Sequence, residues 1–179
     1  WIGTAKGAAC YDGVAFTTIG RDDGLNDDIV LSVHVDREGN VWFGTFSGGA
    51  TVLDQDRGTL TTYTRRDGLP GDQVRTIAQD STGAMWLGTD FGLARLKDGV
   101  IETFTPEDGV AGYDILSSAV DATGQLWVGT GGLIGGMGGA GLSRYPPDTG
   151  IWSTEGRRGG TVGLKTFGIT VGTDGAVWL

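Results

Sequence analysis

Carboxylates are the side chains in this sequence most able to do chemistry, and their spacing decides which chemistry. The chain holds 22 Asp and Glu residues but a single histidine, His34, and a single cysteine, Cys10. Three aspartates share one pattern, Asp-x-x-Gly followed by a tryptophan: Asp36, Asp80 and Asp121. Paired carboxylates can exchange protons with a substrate, whereas an aspartate that opens a turn accepts hydrogen bonds from backbone N–H groups. Because all three aspartates recur at a position that opens a turn, turn capping is the favoured interpretation. Their spacing also does not fit the calcium-binding loop of an EF-hand.

Catalysis and metal binding have little support among the remaining residues. One histidine cannot supply a histidine-based metal cluster, and no Ser, Cys or His grouping resembles a nucleophile with its base. We interpret His34 as a structural residue of a strand and Cys10 as a small residue that is buried or half-buried. The sequence therefore predicts no catalytic residue, no metal ion and no cofactor in this chain.

Five of the six tryptophans belong to a repeat that runs through the whole chain. They are spaced by 41, 44, 41 and 51 residues, and most are followed by x-Gly-Thr: Trp1, Trp42, Trp86, Trp127 and Trp178. A second element, Asp-Gly followed by Leu or Val, keeps the same period at residues 23–25, 67–69 and 108–110. Several elements that recur in one order at a period of about 40 residues indicate a repeat architecture.

One period, residues 73–105, divides into four strand patterns separated by turn residues: "QVRTIAQD", "AMWLGT", "LARLK" and "VIETFT". Four short antiparallel strands per period are typical of a β-propeller blade. We predict an all-β protein, a β-propeller fragment of about four blades of four-stranded antiparallel sheets, open as an arc of a larger propeller. The predicted repeats, of which the first and last are incomplete, cover residues 1–22, 23–66, 67–107, 108–155 and 156–179.

The tryptophans of the complete repeats are predicted to be structural. Trp42, Trp86 and Trp127 would fill the wedge between adjacent sheets, where truncation of a buried Trp costs about 3–5 kcal/mol. Small residues on one face of each first strand predict that this strand is the innermost. The opposite face is expected to pack between blades, and in the second repeat it comprises Leu31, Val33 and Val35.

Composition excludes some partners. The net charge of −9 argues against nucleic acid, because a phosphate backbone requires a basic surface. The 35 glycines lie between apolar runs and indicate turns rather than a collagen-like triplet. Since no run of about 18 apolar residues exists, we expect no membrane contact by this segment.

The combined motif in "DGLPGDQVRTIAQDSTGAMWLGTDFGLARLKDG", residues 67–99, resembles the two-component regulator propeller repeat. The resemblance is strongest at 23–53, 67–105 and 108–130 and weakens after Gly131. It implies a seven-bladed propeller in the extracytoplasmic, periplasmic sensor half of a membrane-bound regulator. The implied partners are the remaining blades and the signalling domains of the parent chain, with a histidine kinase or a diguanylate cyclase as output. The implied ligand is a small molecule, such as a carbohydrate.

Strand direction predicts where that ligand would bind. If the first strand is innermost, the loops between blades and the turns between second and third strands share one face. The candidate ligand-binding residues on that face are Arg65, Arg66, Tyr113, Phe91, Phe46 and Asp90. We expect the recurring Asp28, Asp72 and Asp114 to tie the loops instead. The glycine-rich segment 129–141 is interpreted as a loop with an apolar tip at Leu133, Ile134 and Met137.

Two other functions compete with a sensor. A protein-interaction scaffold would use the same propeller without a small ligand. A glycosidase or lyase built on a propeller would need motifs that fit less well, since sialidases carry Asp-x-Gly before the Trp and this chain carries Asp-x-x-Gly. A virginiamycin-lyase-like enzyme would also be expected to carry a catalytic histidine.

Overall fold

The computed structural model of the protein describes residues 1–131, 141–155 and 166–179. These residues form seventeen strands and three short 3₁₀ helices, with no α-helix among them. The strands pair antiparallel into five sheets, numbered 1 to 5 in chain order. Within each sheet, neighbouring strands are also neighbours in the chain, so every connection inside a sheet is a hairpin.

Sheet 1 contains β1 (Ile2–Thr4), β2 (Gly7–Tyr11) and β3 (Phe16–Ile19). Sheet 2 contains β4 (Val30–Val35), β5 (Val41–Thr45), β6 (Ala50–Asp54) and β7 (Thr59–Tyr63). Sheet 3 contains β8 (Val74–Gln79), β9 (Met85–Thr89), β10 (Gly92–Lys97) and β11 (Val100–Phe104). Sheet 4 contains β12 (Asp114–Val120), β13 (Leu126–Gly131), β14 (Gly141–Tyr145) and β15 (Ser153–Glu155), and sheet 5 contains β16 (Thr170–Val171) and β17 (Val177–Trp178). The 3₁₀ helices, in the loops between sheets, are Arg21–Asp23, Arg65–Asp67 and Pro106–Asp108.

The sheets are arranged side by side through their first strands. Strand β4 lies beside β8, and β8 lies beside β12, while the fourth strands are farthest from this contact. This agrees with the first strand being innermost. The predicted all-β propeller fragment is confirmed, and its sheets form an open arc rather than a closed ring.

A β-bulge near the start of each inner strand corrects the predicted packing face. In sheet 2 the pairing runs from Val30 opposite Thr45 to Ser32 opposite Gly44, so Leu31 is left without a partner. Similar bulges fall between Val74 and Thr76 and between Ile115 and Ser117. The extra residue brings Val30, which is buried, onto the face of Val33, which packs against the core between sheets 1 and 2, and it leaves Leu31 40% exposed. Val35, the last residue of β4, is 52% exposed. The expectation that Leu31 and Val35 pack between blades was therefore wrong.

The hydrophobic core consists of three clusters, one between each pair of adjacent sheets from sheet 1 to sheet 4. Their largest members are Phe43 in the first, Trp42 and Leu87 in the second, and Trp86 and Trp152 in the third. The last residue of each Asp-Gly-(Leu/Val) element contributes to one cluster: Leu25, Leu69 and Val110. The core therefore joins sheets to one another and belongs to no single sheet.

The glycine of Trp-x-Gly-Thr lies close against the next sheet: Gly44 and Gly88 face its inner strand, and Gly129 faces Thr166, which precedes β16. A Cβ on Gly44 would come within 2.6 Å of the backbone oxygen of Val74, and a Cβ on Gly88 within 2.6 Å of Ile115 Cγ2. A Cβ on Gly129 would come within 2.8 Å of the Thr166 side chain. Real Cβ contacts at such distances do not occur, so the repeat requires glycine here for close approach of the sheets.

We predict that Gly88→Ala destabilises the protein by at least about 1–3 kcal/mol, because the added methyl would come within 2.5 Å of Thr76 Cγ2 in its own sheet and within 2.6 Å of Ile115 Cγ2 in the next. The free energy of unfolding would be measured by urea denaturation followed by tryptophan fluorescence. Gly168→Ala is the matched control, since a Cβ there meets no heavy atom within 4 Å. Equal stability of Gly88→Ala and the control would contradict the close-packing interpretation.

Candidate functional site

The turn aspartate of each complete repeat accepts a hydrogen bond from the tryptophan that follows it. The indole Nε1 of Trp42 donates to Oδ2 of Asp36 at 2.9 Å. The same bond joins Trp86 to Asp80 at 2.9 Å and Trp127 to Asp121 at 2.8 Å. In all three repeats Oδ1 accepts backbone N–H groups of the same turn. Both oxygens of each carboxylate are thus engaged within the turn, so these groups have a structural role.

Burial and hydrogen bonding act in opposite directions on these carboxyl groups. Burial raises the pKa of Asp80, but hydrogen bonds from Thr82, Trp86 and the turn backbone outweigh it and hold the pKa below its usual value. The same balance lowers the pKa of Asp121. Both groups are therefore ionised at neutral pH and cannot serve as general acids there.

The Asp-Gly-(Leu/Val) element shapes the loops between sheets. Asp67 Oδ2 accepts from the Thr64 backbone N–H at 2.9 Å, which caps the 3₁₀ helix Arg65–Asp67. Gly68 then adopts a φ of 112°, a conformation that favours glycine, and Leu69 enters the core. Because this geometry recurs in all three loops between sheets 1 and 4, each chain segment crosses to the next sheet in the same way.

Each of the first two loops is tied to the turn between the second and third strands of the preceding sheet. Gly49 N donates to Asp72 O at 2.9 Å, and Gly7 N donates to Asp28 O at 2.6 Å. The side chain of Asp72 also accepts from the Arg65 N–H at 2.8 Å. These contacts place the loops between sheets and the second-to-third turns on one side of the molecule, which we call the loop face.

A groove of about 440 Å³ lies on the loop face, between the loop before sheet 2 and the loop after it. Its lining includes Arg66, Asp72, Thr64, Asn26 and Ser47. Of the predicted site residues, only Arg66 lines this groove; Asn26 and Ser47 were not predicted. A guanidinium, a carboxylate and several hydroxyl and amide groups around one groove can bind a polar ligand through hydrogen bonds.

A second loop-face groove, of about 360 Å³, occupies the corresponding place one repeat earlier. In this groove Asp22 occupies the position that Arg66 has in the 440 Å³ groove, and Asp28 occupies the position of Asp72. The shape of the groove therefore repeats with the fold, whereas its charge varies between repeats. An individual ligand preference would come from residues such as Arg66 that break the repeat.

Asp27 is a buried carboxylate that sequence reasoning did not single out. It is 4% exposed and bonds Arg21 Nη2 at 2.8 Å, and its second oxygen accepts from both the N–H and the Oγ of Ser47 at 2.8 Å. Burial raises its pKa, but the hydrogen bonds from Arg21 and Ser47 outweigh burial and bring the pKa to about 2. Glycine occupies this position in the next two loops, so this deviation from the repeat was the available signal.

The third loop corrects one predicted recurrence. Pro106 stands where Arg65 stands and has no N–H to donate, and Tyr113, not Asp114, occupies the position of Asp72. The Tyr113 hydroxyl donates to Glu107 at 2.6 Å, and this bond raises the pKa of the tyrosine. Asp114 instead begins β12, where it forms an ion pair with Arg75 of β8 and joins two inner strands.

The predicted aromatic residues lie on the loop face but in different places. Phe46 and Phe91 occupy the second-to-third turns of sheets 2 and 3 and are 50% and 51% exposed. Asp90 packs against Gly71, and its Oδ1 is buried without a hydrogen-bond partner. Arg65 is exposed and does not line the Arg66 groove. The structure thus spreads the candidate residues over several loops instead of gathering them in one pocket.

Other sequence features contribute no ligand site. His34 is half-buried on β4, where burial lowers its pKa although Asp36 opposes the shift. Within the described ranges, no three His, Cys, Asp or Glu residues are placed to hold a metal ion. The part of the chain that the structure describes also has no helix long and apolar enough to cross a membrane. The tip residues Leu133, Ile134 and Met137 of the glycine-rich segment lie outside the described residues.

Antiparallel sheets that stack through their first strands are the blades of a β-propeller, and sheets 2, 3 and 4 share the Trp–Asp bond. The family model for the two-component regulator propeller matches residues 24–47 and 68–91, in the second and third repeats. No curated protein matches the chain closely enough to count as a relative.

Several solved structures share this fold. One is the extracellular domain of the hybrid two-component system BT3049 of Bacteroides thetaiotaomicron, with a TM-score of 0.80 and 24% identity over 99% of this chain and 24% of that one. The extracellular domain of BT4673, from the same organism, gives a TM-score of 0.74 and 22% identity over the same shares. An auxiliary nutrient binding protein of that bacterium gives 0.58 and 14% identity over 82% of this chain and 34% of that one. The chain spans about a quarter of the first two structures.

Asp27→Asn is expected to flatten the pH dependence of stability. A carboxyl whose pKa is lowered on folding stabilises the protein above its unfolded pKa, and the stabilisation is lost as the pH falls toward the folded pKa. With a pKa of about 2 in place of 3.8, Asp27 contributes about 2 kcal/mol at pH 7 that disappears between about pH 5 and 2. Urea denaturation at a series of pH values measures this, and an unchanged pH profile in the variant would show that Asp27 is not held ionised.

Proposed function

We propose that this chain is the extracytoplasmic, ligand-sensing part of a membrane-bound two-component regulator. The observation that carries the proposal is the presence of two-component regulator propeller repeats in a fold shared with extracellular domains of such systems. Under this proposal the remaining blades and the signalling domains lie elsewhere in the protein. A histidine kinase or a diguanylate cyclase would supply the output.

We further propose that sensing takes place on the loop face. The groove around Arg66 has a volume that suits a small polar molecule, and it is bordered by two loops and a turn of rigid sheets. Arg66 and Asp72 offer a bidentate donor and an acceptor, and Thr64, Asn26 and Ser47 add neutral groups. A carbohydrate suits this chemistry because its hydroxyl groups both donate and accept hydrogen bonds.

The proposed part has no catalytic role. The repeated carboxylates are engaged by tryptophan and turn N–H groups, and the groove around Arg66 is lined by one carboxylate, Asp72, where glycoside hydrolysis requires two. Binding would therefore leave the ligand unchanged, and a signal would arise from the ligand's preference for one arrangement of loops.

Arg66→Ala should weaken carbohydrate binding by about tenfold, since it removes the strongest donor of the groove. Isothermal titration calorimetry of the protein against a panel of neutral and uronic-acid oligosaccharides would measure the affinity. The matched control is Arg57→Ala, because Arg57 is 79% exposed on a third-to-fourth turn and pairs only locally with Asp54. An equal loss of affinity in both variants would refute the groove as the binding site. Absence of binding across the panel would refute carbohydrate sensing. Hydrolysis of the sugars would refute a non-catalytic sensor.

A further inference from the structure

A groove with different chemistry lies on the opposite side of the molecule, the turn face, which carries the first-to-second and third-to-fourth turns. It separates sheets 2 and 3 and has a volume of about 340 Å³. Its aromatic wall is Trp42 with Tyr63, whose rings stack with centroids 5.9 Å apart and 12° between planes. Its polar rim includes Glu38, Asp98 and Lys97.

The corresponding groove between sheets 3 and 4 is nearly filled, with about 50 Å³ left. The chain's own guanidinium occupies it: Arg95 Cζ lies 5.7 Å from the centre of the Trp86 ring, and its Nε is 3.9 Å from Asp80 Oδ2. A further contact joins Arg95 Nη1 to Glu102 Oε2 at 3.1 Å. A cation over an indole face beside a carboxylate is a favourable arrangement, worth about 0.5–2 kcal/mol for the ring contact alone.

Arg95 and Tyr145 both fill the smaller groove, and the residues at the same positions in the preceding sheet are Val52 and Leu96; of these changes, only that from Arg95 to Val52 removes a charge. Arg95 pairs across the strands with Trp86, and the residue that pairs in the same way with Trp42 is Val52. Valine has no charged group and is too short to extend over the groove. The space beside Trp42 and Asp36 therefore keeps the aromatic and acidic surroundings of a guanidinium site but lacks the guanidinium.

The charges around the open groove also suit a cation. Asp36, Glu38 and Asp98 line it against the single ammonium of Lys97. Asp36 is engaged by Trp42 and Asn40, as Asp80 is by Trp86, and Asp80 still attracts Arg95. Glu38 and Asp98 lie at the rim, where they can bond the donors of a ligand head group.

We propose that the turn-face groove between sheets 2 and 3 binds a small ligand that carries a guanidinium group. The group would take the place that the Arg95 guanidinium takes in the next groove, against Trp42 and Tyr63 and facing Glu38 and Asp98. The site is on the other side of the sheets from the loop-face groove, so it does not depend on the carbohydrate proposal.

The test uses agmatine as the probe, titrated into the protein by isothermal titration calorimetry at low ionic strength. The wild-type protein should bind it saturably, and Val52→Arg should weaken binding by at least about tenfold, because the new side chain places the protein's own guanidinium in the groove. The fold accepts arginine at this position in the next two sheets, as Arg95 and Arg144. Glu38→Gln and Asp98→Asn should each weaken binding by about threefold.

Val100→Arg is the matched control, since Val100 is 61% exposed on an outer strand and does not line the groove. N-butylurea, a neutral analogue with similar shape, should not bind. A blocked pentapeptide with one central arginine distinguishes the two sources of a guanidinium group. If the protein binds both agmatine and the peptide, an arginine of a protein partner fits the groove. If it binds agmatine alone, the ligand is a free metabolite. No agmatine binding, or equal binding by the wild type and Val52→Arg, overturns the proposal.

Discussion

Close contact between one glycine and the next sheet is the constraint on which the remaining structure depends. At Gly44 and Gly88, the absence of a side chain lets the second strand approach the inner strand of the following sheet, and at Gly129 it admits the side chain of Thr166. That approach closes each inter-sheet cluster, and the buried tryptophan fills the wider space farther out. The Asp-x-x-Gly turn then fixes the indole through its Nε1. The repeat motif is thus one packing device whose parts are separated in sequence but adjacent in space.

This division of labour makes deviations from the repeat informative. Side chains at recurring positions already take part in packing or in turn hydrogen bonds, so they are not free to bind a ligand. At Arg66, Asp27 and Val52 one repeat differs from its neighbours: Arg66 lines a groove, Asp27 holds a loop contact, and Val52 is found where the next two sheets carry arginine. A propeller can therefore vary its ligand by substituting such residues without altering how its sheets stack.

Sequence reasoning predicted the blade, the order of its strands and the innermost strand, because period-2 alternation and turn residues are local signals. It failed where the geometry is non-local. The bulge that leaves Leu31 unpaired shifts the buried face by one residue, and no residue type marks it. Asp114 was aligned with Asp72 by residue type, although Pro106 had already removed the N–H that Asp72 binds in its own loop. The grooves were not predictable either, since each is bordered by residues from two sheets.

A double-mutant cycle between Gly88→Ala and Ile115→Ala tests most directly whether glycine contact controls the stacking of sheets. Ile115→Ala removes the Cγ2 atom that a Cβ at residue 88 would meet at 2.6 Å. Unfolding free energies from urea denaturation of the wild type, both single variants and the double variant give the coupling energy. If glycine contact controls the stacking, the double variant loses at least about 1 kcal/mol less than the sum of the single losses. Additive losses would contradict this claim, because they would mean that the side chain at residue 88 does not interact with Ile115 of the next sheet.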